Sequence, residues 1–400
     1  MKIIHVIGSV DPAKGGPQAV VIRLAAAQAA LGHDVHLVSY GNPEIERRSF
    51  LAAAAIPDFG KVQRHILPMP RRMERLFAPR ARRRLRRLLA GADFVHLHGV
   101  WEAILPAAAA LARRRGIAYC VRPAGMLDVW SLKQKAWKKQ LALIAGYRRM
   151  LDGAAFIQAL NADEAQLMEP LALKAPSVVI PNGIFLEELE PGGRSGTFRR
   201  RIPALGDRRF ILFLSRLHYK KGLDILAEAF AMAAASCPDV DLVVAGPDEG
   251  AGEAFKRAIA AKGLSDRVHI TGPVYGREKI DAMREAECFC LPSRQEGFSV
   301  AITEALACGL PVVITDACHF PEVESSGAGL ICSLDAAAVA DALATVLCDP
   351  LAARAMGERG GALVRQHYTW PKIAHRTIEA YAAVLDIKRR VFTARAGLPA

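Results

Sequence analysis

Short continuous apolar runs alternate along this chain with longer stretches in which alanine and leucine recur at helical spacing. In the first half the runs are Ile3–Ile7, Val35–Ser39, Phe94–Leu97, Ala118–Val121 and Phe156–Ala159, and the helical stretches cover 18–31, 79–90, 102–115 and 133–151. Unbroken apolar runs bounded by turn residues fit strands buried on both faces, as in a parallel sheet covered by helices on either side. Val178-Val-Ile-Pro181-Asn182-Gly183 ends this half, and the polar, Gly/Pro-rich Glu187–Arg201 reads as a linker. A second series follows at Phe210–Leu214, Asp241–Ala245, Val268–Thr271, Cys288–Leu291, Pro311–Thr315 and Gly329–Cys332, then a last helix over 371–390. The pattern predicts an α/β protein of two Rossmann-like domains facing across a cleft, 1–181 and 182–370.

Composition narrows the class. The 400 residues are 52% hydrophobic and 23% charged, which is ordinary for a folded protein and excludes a disordered chain. Met1–Gly8 is too short for a signal-peptide core and reads as a first strand; no apolar run reaches the ~18 residues of a spanning helix. A cytoplasmic protein is expected. The eight cysteines form no Cys-x-x-Cys pair and read as reduced core residues, not a zinc site. Net charge is +13, and the excess lies in residues 1–182, with 27 Lys+Arg against 13 Asp+Glu; residues 183–400 carry 26 against 27. Much of it falls in Arg71–Arg87 and Lys133–Lys139, where basic residues interleave with Leu, Phe or Trp. That interleaving suits a helix lying on an anionic membrane surface, the inner face of a plasma membrane, at least as well as it suits nucleic acid, and no nucleic-acid partner is expected; the alternative is a solvated basic face.

In open α/β sheets, ligands sit beyond the C-terminal strand ends, so the chemistry should follow the strands. After the run at 288–291, Pro292–Gly297 reads as a turn, Ser299 as an N-cap and Gly309 as the close of a helix, with Glu296 in the loop and Glu304 nearly two turns in. A helix start aimed at this loop favours phosphate, and an ionised carboxylate, which only accepts hydrogen bonds, suits a sugar diol. After 210–214 come Arg216 and Lys221 at the start of another helix, a poor place for cations unless an anion binds there. Gly15 and Gly16 follow the first strand but not as Gly-x-Gly-x-x-Gly, so a nicotinamide or flavin dinucleotide is not expected, and a plain turn is the alternative. Of His96 and His98, His98 stands at the strand's end and is the cleft candidate. Asp239-Val-Asp241 has the form of a metal motif but starts a strand instead of ending one, and no metal is expected.

Pro292-Ser-x-x-Glu296-Gly297-Phe298, followed by Glu304 and Gly309-x-Pro311-Val, resembles the signature of the family 4 retaining glycosyltransferases, which have the GT-B fold. Arg216-Leu-x-x-x-Lys221-Gly222 is similar to a second signature of that family. The resemblance implies that Arg216 and Lys221 hold the diphosphate of a nucleotide-sugar donor, that Glu296 meets the sugar and Glu304 the ribose, and that Gly297, Phe298 and Ser299 meet phosphate. It also implies that Val274 lies beneath the base, that Gly16 faces the diphosphate and Gly15 the acceptor, and that the C-terminal helix, 371–400, returns to the first domain. The family is metal-independent and needs no cofactor. Many members carry a histidine after the strand at 118–121; this chain has Arg122-Pro123, and Pro123-x-Gly125-Met126-Leu127 looks like a polysaccharide-assembly subgroup. A hexosyltransferase using a UDP- or GDP-sugar and a lipid-linked or polysaccharide acceptor is expected. Two rivals are a GT-B nucleotide-sugar epimerase, which needs no acceptor, and a non-catalytic basic protein bound to membranes.

Overall fold

The computed structural model describes residues 1–14, 16–128, 131–132, 136–189 and 197–396. The chain divides into two compact units, Met1–Asn182 with the C-terminal segment from Trp370, and Gly183–Thr369.

The first unit is built on a seven-stranded parallel sheet, ordered β3-β2-β1-β4-β5-β6-β7. Its strands are β1 (Lys2–Ser9), β2 (Asp34–Gly41), β3 (Gln63–Pro68), β4 (Phe94–His98), β5 (Ala118–Arg122), β6 (Phe156–Ala159) and β7 (Ser177–Val179). One face packs Ile4, Val6, Val95, Leu97 and Val121 against the helices Pro79–Leu88 and Ile104–Arg114. On the opposite face Ile3, Phe94, Cys120 and Phe156 meet Tyr381 of the C-terminal helix Trp370–Ala396. Phe94 and Tyr381 stack with ring centroids 4.0 Å apart, and helix Gly16–Ala30 covers the same face.

The second unit has a six-stranded parallel sheet, β10-β9-β8-β11-β12-β13, from β8 (Arg209–Leu214), β9 (Val240–Ala245), β10 (Val268–Gly272), β11 (Cys288–Leu291), β12 (Val312–Thr315) and β13 (Gly329–Cys332). Central strands are buried throughout, which is why they were legible as unbroken apolar runs. In both sheets strand order reverses direction beside the first strand, at β1/β4 and at β8/β11. That reversal leaves a crevice at the C-terminal strand ends where ligands of such sheets bind.

Several expectations need correction. The helix expected over 133–151 is broken: Ala136–Ala142 runs into a π turn, Leu143–Tyr147, because Gly146 adopts φ 118°, and a short helix, Arg148–Asp152, follows. The Glu187–Arg201 linker is not simply solvated; around the undescribed 190–196, Leu189 and Phe198 are buried in the second unit's core. Asp241 is fully buried and bonds Arg208 at 2.8 Å and His269 at 2.9 Å, a structural knot inside the sheet. Cys348 is exposed, whereas five of the eight cysteines are buried and none is bridged. Among the described residues no single helix is long and apolar enough to cross a membrane.

Candidate functional site

The strand ends at the β8/β11 crevice bring together the residues singled out after 210–214 and after 288–291. Beyond β8 the chain makes a turn of 3-10 helix at Tyr219–Lys221, then enters helix Leu223–Ser236 through Gly222 in the left-handed region at φ 67°. Beyond β11 the loop 292–299 lies directly against that turn. Arg294 N–H donates to the Lys220 carbonyl at 2.7 Å. Thr315 Oγ1 anchors the other side of the loop on the Ser293 carbonyl at 2.6 Å, and Glu296 N–H donates to the Ala317 carbonyl at 3.0 Å.

This backbone frame presents Lys221 Nζ to Glu296 Oε1 in a close ion pair, both side chains largely withdrawn from water at 12% and 9% exposure. Ser293 Oγ–H donates to the same carboxylate oxygen at 2.7 Å. Glu296 therefore has a fixed rotamer with hydrogen-bonding capacity left over, as a carboxylate accepts up to about four bonds. Ser299 caps helix Val300–Ala307, its Oγ accepting from Ile302 N–H, and Gly309 closes the turn after it at φ 75°. Glu304 is the fifth residue of that helix, just over one turn in and not nearly two; it accepts from Lys279 Nζ at 2.5 Å. Lys279 sits on helix Gly276–Glu285, directly after β10 and the loop holding the buried Val274. A Cβ built on Gly297 would meet nothing within 4 Å, so the tip of the loop opens on free space. Phe298 packs back on Phe320 and Tyr368 with centroids 5.8 and 6.1 Å away. Arg216 stands more openly and pairs with Glu249 at 2.7 Å.

The structure thus groups Lys221, Glu296, Gly297, Phe298 and Ser299 around one loop, with Glu304 on the helix it opens. Two cation–carboxylate pairs, one on each side of a helix start, can receive an anion and a polyol at once: the cations turn to the anion while the freed carboxylate oxygens accept hydroxyls. Lys279 and Ser293 were missed by sequence reasoning. Lys279 lies on a different helix from its partner and no local spacing marks it, whereas Ser293 stands inside the Pro-Ser motif and was in view.

In the first unit, His98 and Arg122 close adjacent strands as register partners, and both are buried. Arg122 Nη2 donates to Asn182 Oδ1 at 2.5 Å. Burial lowers its pKa to about 10, against the opposing pull of Glu164. Burial holds His98 and His96 well below the usual imidazole range, reinforced by their neighbours His5 and Arg122, and lowers His5 to about 4. These imidazoles are neutral at neutral pH. Gly16 opens helix Gly16–Ala30, and a Cβ there would meet nothing within 4 Å; Gly15 lies outside the described residues.

The same chain halves match known families. Residues 15–183 match the glycosyl transferase 4-like domain, and residues 194–362 match the glycosyl transferases group 1 domain. The phosphatidyl-myo-inositol mannosyltransferase of Mycobacterium leprae is 28% identical over 379 residues, covering 92% of this chain and 93% of that protein. The GDP-mannose:cellobiosyl-diphosphopolyprenol alpha-mannosyltransferase of Xanthomonas campestris is 24% identical over 402 residues, covering 97% and 98%. Among solved structures, Anabaena HepE in complex with UDP superposes with a TM-score of 0.75 at 17% identity, covering 96% of this chain and 100% of that one, a likeness of fold.

Proposed function

Because the chain belongs to the family 4 glycosyltransferases and has the GT-B fold, we propose that it moves a hexosyl group, with retention, from a UDP- or GDP-sugar to a lipid-linked oligosaccharide or polysaccharide acceptor in cell-surface glycan synthesis. The observation that carries this reading is the pair of loops at the β8/β11 crevice, which sets Lys221 and Glu296 against each other at the mouth of a capped helix. The full-length relatives named for mannosyl transfer to phosphatidylinositol and to a diphosphopolyprenol support an acceptor of the lipid-linked class.

In this reading Arg216 and Lys221 bind the diphosphate together with the N–H groups of Gly297, Phe298 and Ser299, and Val274 underlies the base. Glu304 takes the ribose diol and Glu296 the hydroxyls of the sugar. The bond from the anomeric carbon to the phosphate oxygen breaks as the acceptor hydroxyl oxygen attacks on the same face. Its proton passes to the departing phosphate. Charge on the leaving group is met by the two cations and the backbone donors, so the step proceeds without a metal ion or other cofactor. Calorimetric titration with UDP, GDP, ADP, CDP and dTDP tests this. One nucleotide is expected to bind, and Glu304→Ala to lose at least about tenfold, since a charge-assisted hydrogen bond contributes ~1.5–3 kcal/mol. Indifference to all five nucleotides would refute the donor site.

The basic segment 71–87 forms helices Arg72–Phe77 and Pro79–Leu88, with Met73, Leu76 and Phe77 exposed beside the arginines. In the second segment Trp137 is exposed, Lys139 Nζ bonds the Ser131 hydroxyl at 3.2 Å, and residues 133–135 lie outside those described. Both fit a peripheral attachment to an anionic, cytoplasmic membrane face. Vesicles containing phosphatidylserine should sediment the protein at low salt, and Leu76→Ser/Phe77→Ser should weaken this more than ionic screening alone; equal binding to neutral vesicles would reject the electrostatic part.

A further inference from the structure

The face of the first sheet that lies under Tyr381 becomes polar toward the C-terminal strand ends. His5 stands two residues beyond Ile3 on β1, His96 and His98 two and four beyond Phe94 on β4, and Arg122 two beyond Cys120 on β5, so all four point to one face. His5 and His96 are register partners, and so are His98 and Arg122. All four are buried, as is Gln28 from helix Gly16–Ala30. Such a group inside an otherwise apolar face is costly unless its hydrogen bonds are made.

Most of them are made, and they run in one direction. The Gln28 carboxamide oxygen can only accept, so His5 Nε2 carries the proton of the 2.7 Å bond between them. His5 is neutral, which leaves its Nδ1 as an acceptor, and the 2.9 Å bond to His98 must then be donated by His98 Nε2–H. The neutral His98 is left with a bare lone pair on Nδ1. That atom is buried and has no partner, and neither have Arg122 Nε and Nη1. Glu164, the carboxylate that pulls on Arg122, uses its oxygens on the N–H groups of Gly125 and Leu160, both at 2.6 Å. One bare acceptor and two unused charged donors therefore end side by side at the C-terminal ends of the neighbouring strands β4 and β5.

The ligand atoms of His5, His96 and His98 also lie within 4.8 Å of one another, which is the shape of a three-imidazole metal site. Two features count against a cation here. His5 Nδ1 and His98 Nε2 are already joined by a proton, and the Arg122 guanidinium adds a positive charge beside the rings that repels a cation, although Glu164 offsets part of it. What the free atoms call for is the reverse: an anion to accept from Arg122 and a hydroxyl to donate to His98.

We propose that Arg122 and His98 form a subsite for a sugar that carries an oxyanion near a hydroxyl, with Gln28 and His5 as positioning residues that hold His98 in the tautomer whose Nδ1 accepts. The inference rests on the reading of the chain as a transferase whose acceptor is received by the first unit, and it names the chemistry of that acceptor. The oxyanion is a phosphate or a carboxylate. Either one accepts from the guanidinium, whose charge is spread over a flat, fixed set of donors that lysine does not offer.

The test uses full-length protein with isotope-labelled histidine, whose long-range proton–nitrogen spectra report which nitrogen of each ring is protonated. Wild type should show His98 with a protonated Nε2 and a bare Nδ1. Gln28→Glu keeps the accepting oxygen and should keep that pattern, whereas Gln28→Leu and His5→Phe should mix the tautomers. Adding glucose 1-phosphate or methyl glucuronide should shift the His98 Nδ1 signal saturably, and methyl glucoside should not. A response to the phosphate alone assigns a phosphorylated acceptor, and to the glucuronide alone an acidic sugar. Arg122→Gln and Arg122→Lys should both weaken the response by at least about tenfold. The subsite is overturned if His98 Nδ1 is protonated in wild type, if neither anion gives a saturable shift, or if zinc binds stoichiometrically through the three rings. Nucleotide titration of the same samples reads the second unit alone, so loss of this subsite and loss of the donor site are told apart, and intact nucleotide binding shows that each variant is folded.

Discussion

Lys221→Ala is expected to lower transfer by about a hundredfold or more, and Lys221→Arg to recover only part of it. The expected size follows from two losses at once. The departing diphosphate forfeits a charge-assisted hydrogen bond of ~1.5–3 kcal/mol, and Glu296, only 9% exposed, keeps Ser293 as its one remaining side-chain donor among the described residues, in a place where its charge was matched. A carboxylate stranded this way turns toward other donors, and that disturbs the hydroxyl contacts proposed for it. The measurement is release of the nucleoside diphosphate under saturating donor, using the nucleotide selected by calorimetry, for Lys221→Ala, Glu296→Ala and the double variant. If the two residues act as a unit, the double variant should be little worse than the poorer single one, as coupled sites are strongly non-additive. Turnover of Lys221→Ala within about twofold of wild type would leave the ion pair a purely structural contact, because losses that small fall inside ordinary surface effects.

The same pair shows what could and could not be read ahead of the structure. Strands β8 and β11 were legible because burial on both faces leaves no polar position in Phe210–Leu214 or Cys288–Leu291. Ser299 and Gly309 were legible because capping is local: an N-cap oxygen and a positive-φ glycine are required within a residue or two of the helix ends. Strand β3 was missed since it lies at the sheet edge, where Gln63 and Arg64 face solvent and only Leu67 is buried. The helix Pro43–Ala53 was missed although Asn42 and Pro43 announce it, Asn42 Oδ1 accepting from Ile45 N–H. At the other extreme stands the network His5–Gln28–His98 with His96 Nδ1 against Tyr381 OH at 2.6 Å. Its hydrogen-bonded partners lie as far as 285 residues apart, and each alone looks like an ordinary core polar residue. Periodicity carries information about faces, and motifs about adjacent turns; contacts between elements distant in sequence belong to neither.

Gly222→Ala should be the most damaging small substitution at the donor loops, costing both stability and nucleotide affinity. Gly222 sits at φ 67°, where an L-residue pays roughly 1–2 kcal/mol in backbone strain alone. Its Cβ would also lie 1.9 Å from the Pro292 carbonyl oxygen and 2.9 Å from the carbonyl carbon, distances at which the two loops must separate. Nothing flexible is available to yield, since the contact is with backbone on a loop pinned by Thr315 and Ala317. Separation would stretch the bond from Arg294 N–H to the Lys220 carbonyl and withdraw Lys221 from Glu296. A destabilisation of about 2–4 kcal/mol is expected, in the range of overpacking combined with strain at a special backbone position. Thermal unfolding reads the stability, and calorimetry at a temperature where the variant remains folded reads the binding. Gly60→Ala is the control, because a Cβ there meets nothing within 4 Å and the residue has no positive φ. A folded Gly222→Ala protein that binds nucleotide as wild type does would show that the close approach of the two loops is not what aligns the lysine and the glutamate.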